Sequence, residues 1–165
     1  GKEKSRFSRR YCVGAMSKKI YIGGTFDLFH YGHVNVFKSL KYYLKGEVSQ
    51  VIVAVNSDDF AESYKRRPVM NQYERLAVVN SCKYVDYGFI MDTHENQPFF
   101  IEENNPDYIV MGSDWQEKDY LKQLCIDQEF LHRIGAKMVF VPYTEEISTT
   151  KIIKRIKFLL ANDDT

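Results

Sequence analysis

Three kinds of feature are scarce or missing in the sequence, and each absence excludes a class of protein. The 165 residues include three cysteines, Cys12, Cys82 and Cys125, with no CxxC pair. An odd number at such spacings argues against a disulfide scaffold and is typical of a reducing cytoplasm. There is no apolar run of the 18 residues that a membrane span needs and no apolar segment of a signal peptide. We therefore expect a cytoplasmic protein without a membrane partner.

The sequence also lacks a strong net charge. The formal charge is +1, but residues 1–15 alone carry five basic side chains and one acidic one, so the remainder is −3. A nucleic-acid partner is therefore not expected. We expect residues 1–15 to be a disordered leader or a cloning remnant. Residues 16–165, beginning at Met16, are long enough for one domain with a sizeable core.

Nearly continuous apolar runs recur along the chain and predict strands. They lie at 19–24, 50–55, 84–90, 107–112 and 136–142. Continuous rather than alternating runs suit parallel strands that are covered on both faces. Because helical patterns separate them, the predicted fold is an α/β fold with an open five-stranded parallel sheet and helices on both faces. Ligands of such sheets bind beyond the carboxyl ends of the strands.

Apolar residues at helical spacing predict the buried faces of four connections between or after these strands. The faces consist of Phe37, Leu40 and Leu44; Tyr73, Leu76 and Ala77; Leu121, Leu124 and Leu131, with Gly135 as the stop; and Ile152, Ile156, Leu159 and Leu160.

The stretch GGTFDLFHYGH, residues 23–33, follows the first predicted strand and carries two histidines three positions apart. Its glycines allow a close backbone approach, and the helix N-terminus that follows favours an anion. The same N-terminus disfavours a positive charge, so we expect His30 and His33 to be neutral N–H donors to phosphate. The alternatives are a zinc pair, for which no third ligand is evident, and two surface histidines. The dinucleotide fingerprint and the P-loop are absent.

Two further segments carry groups that suit phosphate. Residues 65–75, KRRPVMNQYER, begin in a predicted loop with three consecutive cations, which could also form a solvated face. Ser148, Thr149 and Thr150 precede the last predicted helix, where hydroxyls ordinarily cap the helix. Capping by one hydroxyl leaves the others, with the backbone N–H groups, for phosphate.

Three motifs resemble those of one family. GTFDLFHYGH strongly resembles the GTFDxxHxGH signature of the HxGH-type nucleotidyltransferases, VMGSDWQEKDYL at 110–121 is similar to their GDDW segment, and ISTTKIIKRI at 147–156 matches their ISTT segment. The resemblance covers residues 18 to 157 and is greatest to the cytidylyltransferases that make CDP-glycerol and related CDP-alcohols. It implies a Rossmann-like sheet and, because the family is commonly dimeric, a homodimer.

The resemblance also implies roles for individual residues. His30 and His33 would bind and stabilise the α- and β-phosphates of a nucleoside triphosphate, with Arg75 as a third catalytic residue. Asp27 would face Mg²⁺ held by the triphosphate, or would brace the loop at 25–30 instead. Which of the three cations at 65–67 reaches phosphate is left open by the variable loop spacing. The implied nucleotide contacts are Gly24, Thr25, Phe26, Lys65, Arg66, Gly112, Asp114, Trp115, Ser148 and Thr149.

The implied reaction is the transfer of a cytidylyl group from CTP to a small phosphorylated alcohol, with glycerol 3-phosphate as the first choice. The acceptor phosphate is already an anion near pH 7, since its second pKa is about 6, so no general base is required. Positioning and charge neutralisation suffice. The alternatives are adenylyl transfer from ATP to a sugar phosphate or FMN, cytidylyl transfer to ribitol or ethanolamine phosphate, and a non-catalytic nucleotide-binding module.

Four positions depart from the family pattern. Lys83 stands where an Arg is frequent, Tyr143 replaces an Arg before ISTT, Glu146 replaces a Gly, and Ser113 replaces the first Asp of GDDW. Lys83 keeps the charge but loses the bidentate fork of an Arg. These changes leave the implied reaction class intact and bear on the identity of the acceptor.

Overall fold

The structure, a computed structural model, describes residues 17–112 and 117–163, so the predicted leader at 1–15 lies outside the described residues. Within these ranges, five strands and seven helices follow one another along the chain. The strands are β1 Lys19–Gly24, β2 Gln50–Asn56, β3 Tyr87–Met91, β4 Tyr108–Gly112 and β5 Lys137–Val141. The helices are α1 Tyr31–Lys41, α2 Asp58–Tyr64, α3 Gln72–Ser81, α4 Gln97–Asn104, α5 Glu117–Gln123, α6 Gln128–Ile134 and α7 Thr149–Ala161.

The strands form one sheet in the order β3-β2-β1-β4-β5, and every neighbouring pair is parallel. This confirms the predicted open, Rossmann-like sheet. The chain leaves the central strand β1 toward β2 and later returns to its other side as β4. Parallel sheets bind ligands at such a reversal, at the carboxyl edge. The loop after β1 lies at this reversal and is therefore where we expect a ligand to bind.

The sheet is covered on both faces, as the continuous apolar runs predict. One core contains Tyr21, Ile52 and Ile109 of the strands, packed with side chains of α2, α4, α5 and α6. The other contains Ile20, Val51 and Val110, packed with side chains of α1 and α3. Alternate residues of each strand thus enter opposite cores.

The third strand begins at Tyr87, three residues later than the run at 84–90 predicts. The N–H of Val85 donates to the carbonyl of Cys82, which closes a turn before the strand. Asp86 then accepts from the N–H of Val51 at 2.7 Å and from the ammonium of Lys41. These bonds join the start of β3 to β2 and α1.

The predicted face of α3 is wrong for two of its three residues, Tyr73 and Ala77, whereas Leu76 packs against the core as predicted. Tyr73 is 70% exposed and Ala77 is exposed, whereas Arg75 and Val79 are buried and Leu76 is partly buried. Periodicity assigns a cation to the solvent side, but here the guanidinium of Arg75 is buried together with its hydrogen-bond partners. The helix is therefore rotated relative to the pattern of its apolar residues.

The other helix faces agree with the sequence in part. Phe37 and Leu40 of α1 are buried, but α1 ends at Lys41, before Leu44. The fourth connection consists of two short helices, α5 and α6, because the chain turns at Cys125 with a φ of 56°. Both helices still bury the predicted residues, and Gly135 ends α6 with a φ of 70°.

Helix α7 packs less than its pattern predicts. Ile156, Leu159 and Leu160 are 45%, 66% and 70% exposed in the described part of the chain. The predicted apolar face exists as a stripe on the helix, but the described residues do not bury it. No helix within the described ranges is long and apolar enough to cross a membrane.

Candidate active site

A cleft of about 550 Å³ opens at the carboxyl edge of the sheet, where β1 lies beside β4. Its walls come from the loop after β1, the start of α1, the end of β4 and the segment that leads into α7. A further wall comes from residues 65–71 between α2 and α3, called here the basic loop. The predicted residues that line it are Gly24, Thr25, Phe26, Asp27, His30, His33, Lys65, Arg66, Gly112, Ser148 and Thr149. Sequence segments far apart in the chain thus meet at this edge.

The loop after β1 has an unusual backbone. Phe26 and Leu28 both adopt left-handed conformations, with φ values of 55° and 47°. Residues other than glycine rarely do so, and such strain is concentrated at functional sites. The ring of Phe26 is buried and packs 5.1 Å from Phe37 and edge-on to His33 at 5.5 Å. Its predicted contact with a nucleotide is therefore restricted to the backbone.

The two histidines occupy the first turn of α1. The Nδ1 atom of His30 accepts from the N–H of Gly32 at 3.1 Å, and the Nδ1 atom of His33 accepts from the N–H of His30 at 3.2 Å. Since each Nδ1 is an acceptor, the neutral rings carry their proton on Nε2. The rings stack with centroids 3.8 Å apart. The backbone of the helix cap thus fixes both the tautomer and the orientation of the two donors.

Both histidines are neutral near pH 7. Burial lowers the pKa of His30, and burial together with the neighbouring His30 lowers the pKa of His33 from 6.5 to about 3. A helix N-terminus and a second imidazole both disfavour another positive charge at this place. The pair can therefore donate two N–H bonds to an anion without itself being charged.

Replacing Gly32 with alanine is expected to disturb His30 most, and Ile147, 3.1 Å from the added Cβ, to a smaller extent. A Cβ at this position would lie 2.8 Å from Cε1 and 2.9 Å from Nδ1 of His30, closer than van der Waals contact allows. We expect kcat to fall by about tenfold to 10²-fold, since small misplacements of catalytic groups cost that much. Helix content should not fall, because alanine favours a helix by about 1 kcal/mol over glycine. Turnover and far-ultraviolet circular dichroism measure the two effects; unchanged turnover would show that the position of His30 is unimportant.

The N-terminus of α7 forms another wall, beside the start of α1. Ser148 caps the helix, accepting from the N–H of Lys151 at 3.1 Å, and Thr149 donates its hydroxyl to the carbonyl of Asp27 at 2.8 Å. The hydroxyl of Thr149 is thus engaged in a contact within the protein, while Thr150 also lines the cleft. A second helix N-terminus, that of a 13-residue helix, faces the cleft and favours an anion there.

The structure distinguishes among the three cations at 65–67, which the sequence leaves open. Lys65 and Arg66 line the cleft. Arg67 instead forms an exposed ion pair with Glu62, with 3.0 Å between Nη1 and Oε2. The side chains available to a phosphate in the cleft are therefore those of Lys65 and Arg66.

Arg75, predicted as a catalytic residue, lies behind the wall of the cleft and not in its lining. It is completely buried and forms four hydrogen bonds, to the carbonyls of Thr25, Asn56 and Met70 and to the carboxylate of Asp58. It does not line the cleft, so its predicted role as a catalytic residue in contact with phosphate does not fit its placement. It ties the loop after β1 to the end of β2 and to the basic loop.

The placement of Asp27 bears on its two predicted roles. Its side chain is 5% exposed, and its two oxygens accept from the N–H groups of Val69 and Met70 at 2.8 and 2.9 Å. A carboxylate used in this way is a poor direct ligand for Mg²⁺, so the bracing role fits better. The braced segment is the basic loop rather than the loop at 25–30. Among the residues that the structure describes, no group of three or more His, Cys, Asp or Glu side chains could hold a metal ion.

Two residues that contact the cleft lining carry no signal used in the sequence predictions. They are Asn56 and Tyr64, although Asn56 ends the second strand, where ligand-binding residues are expected. The hydroxyl of Tyr64 contacts the hydroxyl of Thr25 at 3.2 Å and accepts from the amide of Asn56 at 2.9 Å. The predicted Asp114 and Trp115, together with the departure at 113, lie outside the described residues.

The other three positions that depart from the family pattern differ in whether they line the cleft. Lys83 lies with its ammonium 5.1 Å from the centre of the Tyr84 ring and does not line the cleft. Glu146 is exposed, and Tyr143 lines the cleft.

Comparisons with known proteins identify the family of this chain. Residues 21–155 match the family model described as cytidylyltransferase-like. The chain is 34% identical over 141 residues to the glycerol-3-phosphate cytidylyltransferase of Bacillus subtilis, covering 84% of this chain and 97% of that protein. It is 33% identical over 141 residues to the FAD synthase of Methanobrevibacter smithii, covering 85% and 91%.

A solved structure supports the fold alone. The lipopolysaccharide core biosynthesis protein from Thermoplasma volcanium GSS1 is similar with a TM-score of 0.59 and 22% identity, over 77% of this chain and 96% of that one. The match of the family model over most of the chain, together with relatives above 30% identity, shows that the chain belongs to the cytidylyltransferase-like family of nucleotidyl-transferring enzymes.

Proposed function

We propose that this enzyme transfers a cytidylyl group from CTP to glycerol 3-phosphate, giving CDP-glycerol and pyrophosphate. The main support is the pair of neutral imidazoles, His30 and His33, whose tautomer is fixed at the start of α1 in the same cleft as the N-terminus of α7. This arrangement suits a triphosphate, because it offers several N–H donors to phosphate oxygens in one place.

The proposed reaction needs no protein base. An oxygen of the acceptor phosphate attacks the α-phosphorus, a new P–O bond forms, and the bond to the bridging oxygen of the leaving pyrophosphate breaks. The nucleophile is already ionised, since the second pKa of a phosphate monoester is about 6. Negative charge increases on the leaving oxygen, and N–H donors from His30 and His33 stabilise it without a proton transfer.

Two observations support a small phosphorylated alcohol as the acceptor. The similarity to the Bacillus subtilis enzyme extends over nearly all of that protein. Lys65 and Arg66 line the cleft, which suits a substrate whose main handle is its phosphate. The Asp-Trp pair at 114–115 of the sequence favours CTP over ATP.

The second candidate, adenylyl transfer from ATP to FMN, is favoured by the similarity to an FAD synthase.

Pyrophosphate release tests the proposal. Four nucleoside triphosphates are combined with glycerol 3-phosphate, ribitol 5-phosphate, ethanolamine phosphate and FMN, and kcat/KM is measured for each pair. We expect the highest value for CTP with glycerol 3-phosphate. A tenfold preference for another acceptor, about 1.4 kcal/mol, would overturn the acceptor. Turnover with ATP and none with CTP would overturn cytidylyl transfer.

We further propose that the enzyme acts in the cytoplasm as a homodimer, and that Mg²⁺ accompanies the triphosphate and is held by its phosphates. The basis is the family resemblance of the motifs. Asp27 is not proposed as a direct ligand, because its oxygens bind backbone N–H groups. Analytical ultracentrifugation tests the dimer.

Arg66 and Arg67 form a matched pair of variants for the basic loop. We expect Arg66→Ala to raise KM for both anionic substrates by about tenfold or more, which corresponds to the loss of a charge-assisted hydrogen bond. Arg67→Ala should leave both KM values within about twofold, since exposed ion pairs such as that with Glu62 contribute little. Steady-state kinetics measure both. Equal effects of the two substitutions would contradict the assignment of Arg66 to the cleft.

A further inference from the structure

Asp27 lies where three segments that line the cleft meet. Its carboxylate accepts from the N–H groups of Val69 and Met70 in the basic loop, at 2.8 and 2.9 Å. Its backbone carbonyl accepts from the hydroxyl of Thr149, in the first turn of α7, at 2.8 Å. One residue of the loop after β1 therefore contacts both of the other phosphate-facing segments.

The basic loop depends on these contacts for its conformation. Residues 65–71 connect α2 to α3 without helix or strand, so no regular hydrogen-bond pattern fixes their backbone. Met70 is held from two sides, because its N–H donates to Asp27 and its carbonyl accepts from Nε of Arg75 at 2.9 Å. Arg75 also donates to the carbonyl of Thr25 at 2.7 Å. The loop after β1 and the basic loop are thus joined by two ionised side chains.

We propose that Asp27 is a positioning residue that fixes the basic loop, and with it Arg66, over the phosphate cleft, and that it fixes the first turn of α7 through Thr149. The proposal rests on the proposed function in that the cleft binds phosphate groups. It assigns Asp27 an effect on substrate binding through Arg66, without contact with a metal ion or with the reacting atoms.

The burial and chemistry of the carboxylate carry this proposal. At 5% exposure, with one oxygen directed at each backbone N–H, the side chain is committed to the loop. Hydrogen bonds to an ionised acceptor are roughly twice as strong as neutral ones. Asparagine has nearly the same shape but only one acceptor oxygen. Its NH₂ group would therefore face one of the two backbone N–H donors and could not accept from it. Asp27→Asn therefore removes the brace while the volume is conserved.

The test combines hydrogen exchange with a double-mutant cycle. In Asp27→Asn we expect the amides of Val69 and Met70 to lose protection, and KM for nucleotide and acceptor to rise by about tenfold with a much smaller change in kcat. Introducing Asp27→Asn into Arg66→Ala should raise KM little further, since the side chain that the brace positions is already absent. Asp59→Asn, at an exposed carboxylate of α2, is the matched control.

Several results would overturn the proposal. Unchanged exchange at Val69 and Met70 would show that the carboxylate does not hold the loop. An equal loss of activity with and without Arg66 would indicate that Asp27 acts directly on a metal ion or substrate. If Asp27→Asn does not fold, Asp27→Ser, which keeps one acceptor, is measured in the same way. Hydrogen exchange needs no turnover, so wild-type protein that is inactive on every substrate pair contradicts the proposed function separately.

Discussion

Replacement of His33 by alanine is expected to lower kcat by about 10²–10³-fold, while the dissociation constant of the nucleotide changes much less. The loss of one preorganised donor to an oxygen that becomes charged in the transition state typically costs this much. The effect falls on kcat because the donor acts where charge develops, and not on the ground state. Single-turnover kinetics and calorimetric titration of CTP separate the two quantities.

His33→Gln is the matched variant for this experiment. A glutamine amide extends an N–H group to about the reach of Nε2 but cannot take up a proton, so it retains a neutral donor. We expect it to recover part of the rate that alanine loses. Turnover of His33→Ala close to that of the wild type would refute the role of His33. A glutamine variant no better than alanine would show that a neutral donor alone is insufficient.

Arg75→Ala is expected to destabilise the protein by about 3–5 kcal/mol, the usual cost of breaking a buried ion pair. The substitution leaves the carboxylate of Asp58 without its guanidinium partner, which lies at 2.9 Å. It also strands the carbonyls of Thr25, Asn56 and Met70. For a chain of this length the melting temperature should fall on the order of 10 °C.

Arg67→Ala is the control for this prediction. Its ion pair with Glu62 has nearly the same length, 3.0 Å, but both side chains are exposed. We expect a far smaller loss of stability than for Arg75→Ala, because water screens such a pair and the side chains lose entropy in forming it. Denaturant titrations of both variants give the comparison. An Arg75→Ala protein of wild-type stability that has lost kcat would restore a direct catalytic role for Arg75.

Local patterns predicted much of this molecule. The sheet follows from the continuous apolar runs, and the placement of His30 and His33 at a helix start follows from the residues around them. Other features depend on contacts between distant segments and leave no local signal. Arg75 is buried because the carbonyls of Thr25 and Asn56 accept its hydrogen bonds. Periodicity places cations on the solvent side of a helix, so the buried face of α3 is predicted incorrectly.

The cations at 65–67 show the same limit at a finer scale. The sequence gives three consecutive positive side chains, and their spacing does not say which one faces the cleft. Arg67 forms an ion pair with Glu62 of α2 and does not line the cleft. The sequence likewise leaves two roles open for Asp27. The N–H groups that donate to its carboxylate belong to residues more than 40 positions away, so no local pattern indicates these bonds.

The bond between Thr149 and Asp27 spans 122 positions, which has a consequence for biosynthesis. A nascent chain presents the loop after β1 and the basic loop early, whereas α7 emerges late. Until α7 docks, the cleft lacks one of its two helix N-termini, and the carbonyl of Asp27 lacks its hydroxyl donor. Nucleotide binding can therefore stabilise the chain only after α7 has been made, and the cleft stays incomplete during the long interval before this contact forms.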